Sequence, residues 1–392
     1  MISPHTHSNL IKWLEDSIVN HKLPFAKINI SQNNKTLFSE MKGNTLNEYN
    51  DNSLYRIHSL TKPITSLVTL MVLYKFDIDV NEPIKNFITN FSSQKVLING
   101  DLEPSKNDIT FKHLLTHTSG ITYGFKKSNQ SILRGNTEAD EEYRKIEILN
   151  QIQNPNMTSD EFINVISTLP LAYHPGTRWN YGMSSDVLGV LLEKICNKPL
   201  NIIFKEELFD LLGMNDTDFP HKGLKNLLPT FKLTIPKGFK IINDSNIIKS
   251  EHKFKSGGGG LISTPEDYHK FCNFIINPNM SILNTKLLDM IKTNQIGTDL
   301  SYLSDGLNFY DFTFAGPGIG FTAGFSIIEN TKSIAFKSPE KILSWAGSSN
   351  TIMWIDQKNN FVFTMFSQLI PFGYRSYKKE LMDLIYSDNN LL

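Results

Sequence analysis

The run from Ile64 to Phe76 (Ile-Thr-Ser-Leu-Val-Thr-Leu-Met-Val-Leu-Tyr-Lys-Phe) is apolar nearly all the way round a helical wheel. A surface helix shows one apolar stripe, whereas a helix without a polar face has to be covered on every side. A chain built around such a helix needs further layers, and 392 residues supply two or three average domains or one large two-lobed fold. Directly before it stands Ser59-Leu60-Thr61-Lys62-Pro63. Proline is tolerated in a helix's first turn, where its missing N–H had no partner anyway. Ser59 therefore sits at the mouth of the buried helix, with Lys62 one turn on and on the same face. A serine there feels the positive end of the helix dipole and a neighbouring amine. A lysine desolvated among apolar side chains gives up its proton more readily and can then take one from serine. The competing reading is an N-cap serine beside a chance lysine.

Composition removes several other classes. Lys+Arg and Asp+Glu both number 39, so the net charge is zero and binding to nucleic acid by bulk charge is excluded. With 40% hydrophobic residues, 26 Phe and 13 Tyr, the chain can build a large core and aromatic-lined pockets. Its two cysteines, Cys196 and Cys272, cannot form a disulfide scaffold or a cysteine-cluster zinc site. The first 22 residues carry Lys12, Glu15 and Asp16 and lack the apolar core of a secretory signal. The longest charge-free run, between Asp311 and Glu329, is broken by Pro317 and four glycines and is too short for a membrane helix. A cytoplasmic protein without a membrane span is expected.

Periodicity predicts an opening helix over Asn9–Val19 and a hairpin of Pro24–Ile30 with Thr36–Met41, followed by an extended piece at Leu54–Ile57. Helical signals then dominate from Ile109 to Leu212, interrupted by a polar excursion, Lys126–Asp160. A helix over Ser263–Ile276 is expected to start from Thr264 with Pro265 at its first position. Strands are predicted at Gly324–Ser338, Thr351–Asp356 and Phe361–Gln368, and a last helix at Tyr374–Tyr386. Strands at both ends of a helical middle imply one sheet completed by the two termini, with a helical lobe inserted between.

Several motifs fail on context. Gly318-Ile319-Gly320-Phe321-Thr322-Ala323 spells a dinucleotide fingerprint, but a strand-like run follows it where a helix should, so it reads as a Gly-rich turn. His113 and His117 have zinc-ligand spacing without a third ligand, and read as a buried or capping pair. Ser256–Gly260 lacks the Gly-Lys-Ser/Thr ending of a phosphate loop and reads as flexible backbone near a cleft. No Gly-x-Ser-x-Gly elbow occurs, which argues against the α/β-hydrolase family.

Arg56-Ile57-His58-Ser59-Leu60-Thr61-Lys62-Pro63-Ile64-Thr65 and the block Leu114–Gly124 resemble the serine β-lactamase and penicillin-binding-protein superfamily. Pro175–Tyr181, running into Asp186–Gly189, and Ser256–Asp267 are similar to further blocks of that superfamily, in the same order. Within it the chain looks most like the class-C-β-lactamase-related esterases, the family VIII carboxylesterases. The resemblance implies a single domain with a serine β-lactamase-like α/β fold (α+β by some schemes): an antiparallel sheet flanked by helices, plus an all-helical lobe. The α/β lobe would take about residues 8–60 and 235–392, the helical lobe about 61–234.

It also implies roles. Ser59 would be the acylated nucleophile, Lys62 its activating partner and Tyr181 the second proton relay, needing neither metal nor organic cofactor. The alternative for Tyr181 is a core tyrosine after a tight Pro-Gly turn. The oxyanion hole would come from the backbone N–H groups of Ser59 and Ser348, with Gly347 letting that strand approach the substrate. Tyr123 would either line the site and hydrogen-bond Ser59 or serve packing, and the 126–160 excursion would form a lid or wall. Two positions depart from the penicillin-recognising pattern. Met183 stands where Asn is usual and Trp345 where Lys or His is usual, so the cleft strand lacks the cation that meets a β-lactam carboxylate. The expected substrate is a small ester or amide. The rivals are a β-lactamase or D-amino-acid amidase and, outside enzymology, an inactive binding or sensor protein on the same scaffold.

Overall fold

The structure is a computed structural model and describes residues 2–43, 52–125, 137–234, 238–243, 251–279, 282–303 and 313–387. Helix α1 (Pro4–Val19) starts five residues before the expected position, because Ser3 caps it by accepting from Thr6 N at 3.1 Å and Pro4 fixes its first turn. Strands β1 (Phe25–Gln32) and β2 (Lys35–Gly43) form the expected hairpin. Asn33 and Asn34 turn it with φ of 50° and 60°, the left-handed pair that a two-residue hairpin needs.

Helix α2 (Thr61–Lys75) is buried without interruption from Thr61 to Leu70, as its lack of a polar face requires. It packs on α3 (Ser184–Cys196), which in turn packs on the short helices Phe111–Leu115 and Leu200–Phe204, so the centre of the chain is helical. Helix α4 (Pro265–Ile276) is capped as the sequence predicts: Thr264 accepts from Asp267 N, and Pro265 opens the first turn.

The carboxy-terminal part adds β3 (Ile319–Phe321), β4 (Ser326–Ile328), β5 (Ile342–Gly347), β6 (Thr351–Asp356), β7 (Phe361–Phe366) and helix α5 (Tyr377–Ile385). These five strands join the hairpin in one seven-stranded sheet of order β2-β1-β7-β6-β5-β4-β3, antiparallel at every pairing. Lys27 lies opposite Phe366 and Gln32 opposite Phe361, so the first strand of the chain is zipped to the last long one. Strands β6 and β7 are buried at every position, which requires cover on both faces of the sheet. Helix α4 packs on β1 and β7, while α1 packs on α5 and β2.

The strand expected over Gly324–Ser338 is only three residues long. Polar residues follow Ile328, and Ser333 N donates to Asn330 O in a turn that ends the extended run. The segment Gly318–Ala323 opens no helix, and its Ile319–Phe321 forms strand β3 rather than the expected Gly-rich turn. Among the described residues no helix is long and apolar enough to cross a membrane.

Candidate active site

The serine that precedes α2 is reached through a small antiparallel ladder. Tyr55–Arg56 pairs with Ile262–Ser263, and Ile57 N donates to Leu261 O at 3.2 Å. One tight 3₁₀ turn, His58–Leu60, then delivers the chain into the helix. Ser59 Oγ sits within this turn, half-exposed, and accepts hydrogen bonds from two side chains. Tyr181 Oη donates from 2.8 Å, and Lys62 Nζ lies at 3.3 Å.

Lys62 is 1% exposed, a position a lysine holds only when its donors are used. Its Nζ donates to Gly258 O at 2.5 Å and lies over the rings of Tyr181 and Tyr123, 4.9 and 5.3 Å from their centroids. Gly258 is fixed in its turn by Asp186. The Asp186 carboxylate accepts from Gly258 N at 3.1 Å and from Ser256 Oγ at 2.5 Å. Thr65 Oγ1 donates to Gly257 O at 2.6 Å, and Leu261 N donates to Thr61 Oγ1 at 3.2 Å. Three side chains in the first turns of α2 therefore hold the glycine segment.

That segment is clamped rather than flexible, which corrects the sequence reading of Ser256–Gly260. A Cβ on Gly257 would stand 2.5 Å from Ser185 O, and one on Gly258 would stand 2.3 Å from Asp186 Oδ2. The glycines are there for close approach. Burial pushes the Asp186 carboxyl above its usual range, with Lys62, Ser256 and Gly258 acting against that rise. Asp186 was not singled out as a site residue from sequence. A carboxylate in the first turn of an apolar helix reads there as an answer to the dipole.

Tyr181 stands in an aromatic enclosure. Trp179 stacks along it at 6.3 Å and 17°, while the rings of His117, Tyr123 and Trp345 lie at 5.0, 5.3 and 5.5 Å. His117 is buried, and burial with the nearby Lys62 charge pushes its imidazole well below the usual value, so it packs as a neutral ring. His113 instead serves the capping box of the helix that follows Thr110. Tyr123 packs on Tyr181 and lines the cavity. Ser59 is not its partner, and burial, Tyr181 and Asp186 push its phenol well above the ordinary range.

A cavity of about 540 Å³ opens over Ser59, within the usual range for a small-molecule site. Tyr123, Tyr181, Asp186, Gly258 and Ser348 contribute to its wall, together with apolar side chains of Phe125, Leu149, Ile152, Phe219 and Phe254. Leu149, Ile152 and Gln153 come from the 126–160 excursion, which walls the cavity there, while residues 126–136 lie outside the described residues.

Trp345, Met183 and Gly347 are not among the lining residues. Trp345 is 3% exposed and packs on Tyr181, Phe314 and Phe321, and Met183 is fully buried at the start of α3. Gly347 makes its close approach to backbone rather than to a ligand. A Cβ there would stand 2.2 Å from Ile57 O, and Thr351 Oγ1 donates to the same carbonyl at 3.3 Å. The end of β5 is thereby locked against the turn that carries Ser59, and Ser348, exposed just beyond it, faces the cavity. Strand β5 carries no charge, but Arg56 and Lys255 line the wall elsewhere. Arg56 Nη1 donates to Leu228 O at 2.8 Å, and Lys255 pairs with Glu251 at 2.9 Å.

Several known proteins are similar to this chain along most of its length. Acyltransferase calJ of Penicillium decumbens is 26% identical over 341 residues, covering 81% of this chain and 76% of the relative. Esterase EstB of Burkholderia gladioli is 23% identical over 323 residues, covering 78% and 75%. The lovastatin esterase of Penicillium rubens is 24% identical over 329 residues, covering 79% and 78%. Among solved structures, simvastatin synthase from Aspergillus terreus superposes with a TM-score of 0.79 at 19% identity, over 98% of both chains. EstCE1, described as a hydrolase with promiscuous acyltransferase activity, gives 0.77 at 18% identity over 97% and 98%. These two superpositions establish the fold. The family described as Beta-lactamase matches residues 12–386, and with that match spanning nearly the whole chain this protein belongs to the beta-lactamase family.

Proposed function

We propose that this protein is a carboxylesterase that works through an acyl-enzyme on Ser59, with small-molecule esters as substrates. The observation that carries the reading is the double hydrogen bond to Ser59 Oγ, from Tyr181 Oη and Lys62 Nζ, at the wall of a small-molecule cavity. A serine hydroxyl is a weak nucleophile until a neighbouring group takes its proton. Both contacts run toward Ser59 Oγ, so acylation requires one of them to reverse. The Ser59 Oγ–carbonyl bond then forms as the Ser59 proton passes to an unprotonated Lys62 Nζ, or to Tyr181 Oη as Tyr181 hands its own proton on, and the relay protonates the departing alcohol as the carbon–alkoxy bond breaks. The backbone N–H groups of Ser59 and Ser348 are the proposed oxyanion donors, their spacing held by the Gly347–Ile57 contact. Water arriving in the cavity releases the acid, and an alcohol in its place would carry the acyl group away. The relatives named as acyltransferases favour giving that second outcome weight.

The test is kcat/KM on p-nitrophenyl esters of acetate to hexanoate, beside a chromogenic cephalosporin under the same conditions. Ester turnover that exceeds cephalosporin turnover is expected, because no cation stands on β5 to meet a lactam carboxylate. A missing charge-assisted hydrogen bond is worth about 1.5–3 kcal/mol, roughly 10- to 150-fold. Preference for the cephalosporin would overturn the esterase assignment. Trp345→Lys is a poor companion variant, since Trp345 is buried against Tyr181 and a lysine there would be forced into the core.

A further inference from the structure

The residue before Ser59 is a histidine in a backbone conformation that suits glycine. His58 has φ of 46°, in the left-handed region where a side chain carries a steric penalty, and Gly259 passes its backbone at 3.8–4.0 Å measured from an added Cβ. His21 and His117 share this backbone region, so what sets His58 apart is where its ring lies. His58 is half-buried in the wall of the same cavity that holds Ser59, and its ring nitrogens have no hydrogen-bond partner among the described residues. His269 makes the contrast: its Nε2 is 2.8 Å from Ser31 Oγ and its Nδ1 3.2 Å from Thr364 Oγ1, so both nitrogens are committed to structure.

We propose that His58 holds the water that resolves the acyl-enzyme, and thereby sets the balance between hydrolysis and transfer to an alcohol. The inference rests on the acyl-enzyme reading of Ser59. Water has two protons to place and an alcohol has one. In hydrolysis the water oxygen bonds to the acyl carbon and the carbon–Oγ bond breaks. One water proton passes to Tyr181 Oη as Tyr181 hands its own to Ser59 Oγ. The other stays on the new acid, hydrogen-bonded throughout to the unprotonated nitrogen of His58. An alcohol spends its single proton on Tyr181 and has none for His58. The ring must be neutral to accept, and burial together with the charges of Arg56 and Lys62 brings His58 down to about 4. At neutral pH the ring is therefore held in its neutral, accepting form.

The test uses p-nitrophenyl acetate in water–methanol mixtures, following the p-nitrophenol burst for acylation and acetate against methyl acetate for resolution. His58→Gly fits the left-handed backbone and removes the acceptor, and His58→Asn fits it while keeping a shorter one. For His58→Gly we expect a burst rate within about 3-fold of wild type, hydrolysis slowed roughly 10-fold or more, and a methyl acetate to acetate ratio raised by a similar factor. His58→Asn should fall between the two. A product ratio that ignores residue 58, with an acetyl group seen on Ser59 by intact mass, would overturn this inference alone. Absence of that acetyl group in the wild-type protein would overturn the Ser59 reading and this one with it.

Discussion

Tyr181 Oη donates to Ser59 Oγ across 2.8 Å, joining residues 122 positions apart in the chain. The bond is a product of packing. Trp179, His117, Tyr123 and Trp345 surround the Tyr181 ring and leave it little freedom to swing away. Lys62 reaches the same oxygen from inside the helix, so two donors converge on one atom from different elements.

Tyr181→Phe keeps the ring and its packing but removes the donor, and Lys62→Ala removes the amine. Each is expected to lower kcat by roughly 10²–10⁴-fold with the fold retained. The double variant should lose little more than the worse single one, because groups that act as a unit are not additive. Losses that multiply, read from single-turnover rates, would mean that one of the two only packs.

Asp186 acts at one remove, through the Gly258 carbonyl that receives Lys62 Nζ. Asp186→Asn preserves shape and removes charge. We expect kcat to fall roughly 10- to 100-fold with KM changed by less than about 3-fold, since the loss concerns proton transfer rather than substrate contact. A rise in KM with kcat unchanged would place Asp186 in binding instead.

Gly347→Ala forces a methyl group onto the Ile57 carbonyl, and neither backbone can retreat as a flexible side chain would. A loss of about 1–3 kcal/mol in urea unfolding is expected. Turnover should drop beyond what the unfolded fraction explains, because Ser348 shifts relative to Ser59. Wild-type kcat per folded molecule would show that the spacing of the two N–H groups is not critical.

Much of this was legible in the sequence. The all-round apolar face of Ile64–Phe76 required a central helix, and Pro63 located its first turn with Ser59 and Lys62 one turn apart. Asn33-Asn34 and Thr264-Pro265 fixed a hairpin and a helix start through local backbone chemistry. The site contacts that escaped are long-range. Nothing local says that the Gly257–Gly258 segment rests on Ser185 and Asp186, or that Gly347 faces Ile57 rather than a ligand, since a glycine's spelling does not say which neighbour comes close. Trp345 and Met183 stand where the family resemblance places cleft residues, but their side chains are buried in the core and do not line the cavity. The strand expected over Gly324–Ser338 comes out far shorter, because the polar run Glu329–Ser333 turns the chain just after Ile328.

His269 offers a stability test away from the cavity. Burial lowers its imidazole from 6.5 to about 4, so between those values the unfolded chain binds a proton at this position that the folded one refuses. Stability should therefore fall as pH drops from about 6.5 toward 4 and level off below. His269→Gln is expected to reduce the slope of that part of the Tm-against-pH curve, to which His58 and His117 also contribute, while leaving kcat within about 2-fold. An unchanged slope would mean that His269 is not the group responsible.

Acylation of Ser59 can be tested without knowing the natural substrate. Intact-protein mass spectrometry after reaction with an active-serine alkyl phosphonate, followed by peptide mapping, reads the modified residue directly. A single adduct on Ser59 is expected, lost in Ser59→Ala together with essentially all ester turnover. An adduct on another residue, or ester turnover at the wild-type rate in Ser59→Ala, would contradict it.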